Sequence, residues 1–185
     1  MKKTCSSVMA ILIILLFAGR TFAGDVTLLT NKEYFPVLEE RIAKAREEIL
    51  VSVFVFKTTQ STRNLATRLR ESLVSAASRG VKVTVLLEKE RGGRRGSSLN
   101  EDNNYTAKVL SRGGVKVYFD EPDTTTHTKL VTIDNRYLFI GSHNFTESAL
   151  RYNNEASVMI DSPQMAREAA SFITGMSKLR HPQPR

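Results

Sequence analysis

The chain is 185 residues long and basic, with 27 Lys and Arg against 19 Asp and Glu and a formal net charge of +8. Its one cysteine, Cys5, excludes an internal disulfide, so stability has to come from packing. The positive balance suits a polyanionic partner, nucleic acid or an anionic lipid surface, without choosing between them.

The first residues read as an export signal: Lys2-Lys3, an apolar run from Val8 to Ala18, then Thr21-Phe22-Ala23. Eleven apolar residues fall short of the roughly twenty that span a bilayer. Cleavage after Ala23 is expected to leave residues 24–185, one domain of 162 residues with net charge +5. That domain is expected in the periplasm or medium, with no stable membrane association. An uncleaved signal acting as an anchor stays an open alternative.

Val26 to Leu29 then reads as a short strand, and Pro36 as a first-turn residue of a helix whose Val37, Leu38, Ile42 and Ala45 repeat at helical spacing. Ile49 to Phe56 has the β-branched and aromatic composition of a buried strand. Thr62 to Arg79 reads as a helix with Leu65, Leu69, Leu73 and Ala76 on one stripe, ended by Gly80 as a C-terminal cap. Val81 to Leu87 is a strand, Glu88 to Asn100 an irregular stretch, and Tyr105 to Leu110 lies in a helix that passes through Gly113-Gly114 into a strand, Val115 to Phe119. A hairpin over residues 127–140 follows, then a turn or short helix at Thr146 to Arg151, a strand at Ala156 to Ile160 and a last helix from Pro163 to about Leu179. The fold class expected is α/β, with helices covering both faces of a central mixed sheet.

The hairpin carries the most specific pattern in the chain: His127-Thr128-Lys129, then Asp134, then Gly141-Ser142-His143-Asn144. Residues two apart on a strand point the same way, so His127 and Lys129 project from one face while Thr128, Leu130 and Thr132 occupy the other. Asp134-Asn135-Arg136 makes the turn, and Tyr137 to Ile140 pairs back to bring Ser142 and Asn144 beside the first strand. One side chain can attack phosphorus while its neighbours hold the charge of a phosphodiester. By the same parity Asp134 faces away from His127, which assigns it to the turn, where it can accept backbone hydrogen bonds.

This spacing, H-x-K-x4-D-x6-G-S-x-N, resembles the HKD signature of the phospholipase D superfamily, with every position filled. Asn153-Asn154-Glu155 is similar to that family's second, glutamate-bearing element. Within the superfamily the resemblance is to small, secreted, single-motif bacterial endonucleases of the Nuc type. It implies a phospholipase D-like α/β sandwich in which His127 attacks phosphorus to give a phosphohistidine that water hydrolyses. Lys129, Ser142 and Asn144 would hold the phosphoryl oxygens. Asp134 and Gly141 would be structural members of the motif, and Glu155 would orient the His127 imidazole. The resemblance implies no cofactor and no metal, so cleavage is expected to survive EDTA. With one His-x-Lys per chain, the proton donor is expected from a second copy, in an isologous homodimer.

Other residues are read more plainly. His143 sits at the variable position of Gly-Ser-x-Asn and His181 in the tail, and both are taken as non-catalytic. Asp120-Glu121-Pro122-Asp123 is taken as a polar turn between strands rather than a cation site. Arg91, Arg94 and Arg95, spaced by glycines, either grip a nucleic-acid backbone or form a solvated loop. DNA is the favoured substrate, with RNA left open. A phospholipid hydrolase is the chief alternative, and a catalytically idle nucleic-acid-binding protein the second.

Overall fold

The computed structural model describes residues 24–90, 98–121 and 124–178. They form seven strands and five α-helices: β1 (Asp25–Thr30), α1 (Tyr34–Lys44), β2 (Glu48–Val53), α2 (Leu65–Ser78), β3 (Lys82–Leu87), α3 (Ser98–Arg112), β4 (Lys116–Phe119), β5 (Lys129–Ile133), β6 (Tyr137–Gly141), α4 (Glu147–Arg151), β7 (Ala156–Asp161) and α5 (Pro163–Lys178). A single 3-10 turn, Asn31–Glu33, joins β1 to α1. The strands make one mixed sheet in the order β1-β7-β6-β5-β2-β3-β4. The pairs β2·β3 and β3·β4 are parallel, and the other four are antiparallel.

Alternation along the strands divides the interior into two cores. Ile49, Val51 and Val53 of β2 and Val131 and Ile133 of β5 point into the larger core, which α1, α2 and α3 close with Leu38, Ile42, Leu69, Leu73 and Leu110. Leu50, Leu130, Leu138 and Ile160 point the opposite way and are covered by Ala166, Ala170 and Ile173 of α5. Both faces therefore carry helices, as expected. The interior strand β2 is buried on both, which is why it reads as a hydrophobic run interrupted only by Ser52.

Two helix-to-strand joins use the same chemistry. Past α2, Gly80 takes φ +92° while its N–H donates to Ala77 O at 2.9 Å and the Val81 N–H to Ala76 O at 3.1 Å. Past α3, Gly114 takes φ +85°, and the N–H groups of Gly114 and Val115 close on Ser111 O and Leu110 O, both at 3.1 Å. A left-handed residue with this bond pair stops a helix and turns the chain directly into the next strand. The β5–β6 hairpin turns through Asp134, Asn135 and Arg136, with the first two at φ 52° and 49° and the Arg136 N–H donating to Ile133 O at 3.0 Å.

The register brings one end of every strand to a common level. Thr30 faces Ala156, Gly141 faces Ser157, Lys129 faces Val53, Val53 faces Leu87, and Leu87 faces Phe119. At this level β2, β3 and β4 finish, the end of parallel strands where open α/β sheets place their ligands.

Candidate active site at the carboxyl end of the parallel strands

His127 lies two residues before Lys129 and is exposed, whereas Lys129 is only 8% exposed. Both rest on Phe54, the first residue beyond β2. The His127 and Phe54 ring centroids are 4.6 Å apart with the planes tilted by 59°, and the Lys129 ammonium stands 5.3 Å from the same centroid. Lys129 Nζ also donates to the His127 carbonyl at 2.9 Å. Burial pushes the lysine below its ordinary pKa, and the charge of Glu155 acts in the opposite direction. The strand spacing has produced what a phosphate needs, a reachable imidazole beside a partly desolvated cation.

The return strand and β7 build the second wall. Ser142 Oγ donates to Glu155 Oε2 and accepts the Ala156 N–H at 3.1 Å, while Asn153 Nδ2 donates to Glu155 Oε1 at 3.1 Å. Asn31, at φ 48°, clasps the same segment: its Oδ1 accepts the Glu155 N–H and its N–H donates to Glu155 O, each at 2.9 Å. Gly141 is required by crowding, since a Cβ there would overlap Ser157 and the Ala156 carbonyl. Asn144 is half-buried, and its Oδ1 has no hydrogen-bond partner among the described residues. The loop beyond it is tied to the segment leaving β2, with Phe145 N–H donating to Val55 O and Lys57 N–H to Phe145 O, each at 2.9 Å.

A model of the family described as "Cardiolipin synthase, PLD-like domain" matches residues 38–176. The chain belongs to this phospholipase D-like family. Among its relatives, the phospholipase D of Rickettsia conorii is 28% identical over 129 residues, 70% of this chain and 56% of that protein. The chain thus spans little more than half of that relative's length. Among solved structures, the phospholipase D family member Nuc from Salmonella typhimurium superposes with a TM-score of 0.72 at 19% identity, covering 88% of this chain and 99% of Nuc. NucT from Helicobacter pylori gives 0.67 at 19% identity, covering 86% of this chain and 99% of NucT.

In phospholipase D-like terms, the motif divides between the two ends of the sheet. His127, Lys129, Ser142, Asn144 and Glu155 gather at the ligand-facing end. Asp134 sits at the other, where its carboxylate accepts the N–H groups of Arg46, Glu47 and Glu48 at 2.9, 2.8 and 3.0 Å and anchors the start of β2. Two expected contacts differ. Glu155 is engaged by Ser142 and Asn153, and among the described residues no side-chain hydrogen bond joins it to His127, because the carboxylate is captured within its own strand end. Ser142 in turn spends its hydroxyl on holding Glu155. The arginine loop, Arg91, Arg94 and Arg95, lies outside the described residues, as does His181.

His143 is buried as a neutral support. Its Nε2 donates to Asn31 O at 2.9 Å, its Nδ1 accepts from Ser157 Oγ at 2.7 Å, and the ring lies flat on Tyr34, 4.2 Å between centroids. Burial lowers its pKa, outweighing the pull of the Asn31 bond and the Glu155 charge. Asp120, at the head of the expected polar turn, is only 4% exposed and takes the Lys89 and Thr126 N–H groups, fastening the segment before His127. Sequence reasoning missed Phe54 and Asn31 as contributors. Only Asn31 carried a local signal, asparagine being one of the few residues that tolerates a left-handed backbone.

Proposed function

We propose that this chain is an exported phosphodiesterase that hydrolyses nucleic acid, DNA foremost, through a covalent phosphohistidine and without a metal. The observation that supports it is the exposed His127 imidazole held on Phe54 beside the buried Lys129 ammonium. A nucleophile and a fixed positive charge meet there within a motif whose every position is filled. An imidazole nitrogen attacks phosphorus, the bond to the leaving oxygen breaks, and a protonated imidazole supplies that oxygen with its proton. Water then attacks phosphorus, the phosphorus–nitrogen bond breaks, and the proton from water passes to the imidazole that gave one up. Lys129 and the Asn144 amide carry the charge that builds on the phosphoryl oxygens.

The second imidazole comes from His127 of another copy across a two-fold axis. Of the two histidines among the described residues, His143 is wholly buried and already bonded at both nitrogens. The charged, apolar and small-residue order of residues 1–23 supports export. Net positive charge, the single motif and the resemblance to Nuc-type endonucleases favour nucleic acid. The names of the Rickettsia relative and of the matching family model favour the second reading, hydrolysis of phospholipid.

Purified residues 24–185 should degrade supercoiled plasmid in EDTA, and His127→Ala should lose turnover by at least about a thousandfold while staying folded and DNA-bound. Cleavage that chelation abolishes and a divalent ion restores would remove the metal-free mechanism. Liposomes assayed in parallel decide the substrate: release of headgroup with the plasmid intact would move the reading to phospholipid.

A further inference from the structure

We propose that Glu88 and Asp120 form a proton-sharing clamp on the backbone of Thr126 that positions His127 for attack, an inference that rests on the reading of His127 as the nucleophile. Glu88 follows the last residue of β3 and Asp120 the last residue of β4, and the pairing of Leu87 with Phe119 sets them side by side at the ligand-facing end. Glu88 is 2% exposed and Asp120 4%. Between them lies one N–H, that of Thr126, which donates to Glu88 Oε2 at 2.5 Å and to Asp120 Oδ2 at 2.9 Å. Two buried carboxyl groups that converge on a single N–H repel when both are ionised, and a proton held by one of them removes that repulsion.

The surroundings select the neutral form of Glu88. The charged groups that act on it, Asp120 and Glu90, are both acidic. From α3 it is faced by the neutral Asn103, whose Nδ2 donates to the Glu88 carbonyl at 2.9 Å. The ammonium of Lys89 lies 5.9 Å from the Phe119 ring centroid, and the Lys89 N–H is spent on Asp120 Oδ1 at 2.7 Å. Burial first, then the hydrogen bond to Asp120, push Glu88 up to about 7.

Below that pH the shared proton lets both carboxyl groups close on the Thr126 N–H. The next residue is His127, whose ring stands on Phe54 and whose carbonyl receives Lys129 Nζ. Above it the proton leaves, two buried anions repel across a single N–H, and the segment that carries the imidazole loses its anchor. The pair touches no substrate; it acts through the backbone.

Glu88→Gln reproduces the protonated state, since its amide can donate to Asp120 while its oxygen accepts from Thr126. The ratio of its kcat to that of the parent should stay near one at about pH 6 and rise on the order of tenfold by about pH 8.5, with KM little changed. Asp120→Asn must turn an NH2 against the N–H of Lys89 or of Thr126, both of which Asp120 accepts, so it should be slowed at every pH, as should Glu88→Ala. A ratio that stays flat with pH for Glu88→Gln, beside an inactive His127→Ala, overturns the clamp alone. An active His127→Ala overturns the nucleophile reading instead. Carbon NMR of the parent's side-chain carboxyl groups needs no variant: a proton leaving this pair near neutrality is expected, and two carboxyl groups that both titrate as free acids would rule the clamp out.

Discussion

His127 and His143 are two imidazoles brought to the same end of the sheet by the same hairpin, and their surroundings give them opposite uses. One is exposed on Phe54; the other is sealed between Tyr34, Ser157 and Asn31. Because burial holds His143 below the ordinary imidazole value of 6.5, the unfolded chain takes up a proton there that the folded chain refuses. Its contribution to stability is therefore intact above 6.5 and is lost as pH falls from that value toward the folded pKa. Thermal midpoints measured between about pH 7.5 and about pH 5.5 should drop further for the parent than for His143→Gln, which should start lower at the higher pH. Parallel curves would mean that this ring is not kept neutral. The spacing of His127 and Lys129 was legible because adjacent positions on one strand face settle it. The role of His143 was not, because its partners arrive from the turn after β1, from the start of α1 and from β7, most of them far away in the chain.

Among the elements, the β5–β6 hairpin separates architecture from chemistry. Asp134→Ala leaves three N–H groups at the start of β2 without their acceptor, a loss of about 1–3 kcal/mol. The denaturation midpoint should fall accordingly while kcat per folded molecule stays unchanged, since the carboxylate sits at the opposite end of the sheet from His127. A fall in kcat at full folding would place Asp134 in the chemistry after all. Gly141→Ala should cost about 1–3 kcal/mol by forcing β6 from β7, and because Ser142 and Ser157 lie at that contact, turnover should fall with it.

The alternation of strands and helices could be read from periodicity, but several boundaries could not. The expected strand to Phe56 ends at Val53, because Phe54 leaves the ladder to floor the site, and α2 begins only after Asn64 caps it by accepting the Thr67 N–H at 2.9 Å. Helix α3 runs over Ser98–Arg112, well beyond its expected apolar stretch. Part of its buried face is polar: Asn103 bonds Phe56 N–H at 2.8 Å and Phe54 O at 2.9 Å, and Thr106 bonds Phe56 O at 2.6 Å. A helix that satisfies the backbone of a departing strand has no hydrophobic stripe there to announce it.

For the whole molecule, the proposed mechanism, with one His-x-Lys per chain and one proton given and one taken, requires paired copies. Sedimentation at assay concentration should find a dimer, and dilution below its dissociation constant should lower specific activity faster than in proportion. A fully active monomer would remove this part of the proposal. The folding class could be argued from sequence, whereas the strand order could not, since no local pattern tells β1 that its neighbour is β7. That pairing joins Asp25 to Asp161, and β1 has no other partner in the sheet. A nascent chain growing from its amino end must therefore carry Val26-Thr27-Leu28-Leu29 as a loose, sticky ribbon until nearly all the rest has been made. The final zippering joins the most distant parts of the sequence, so refolding should be slow and open to mispairing with neighbouring chains.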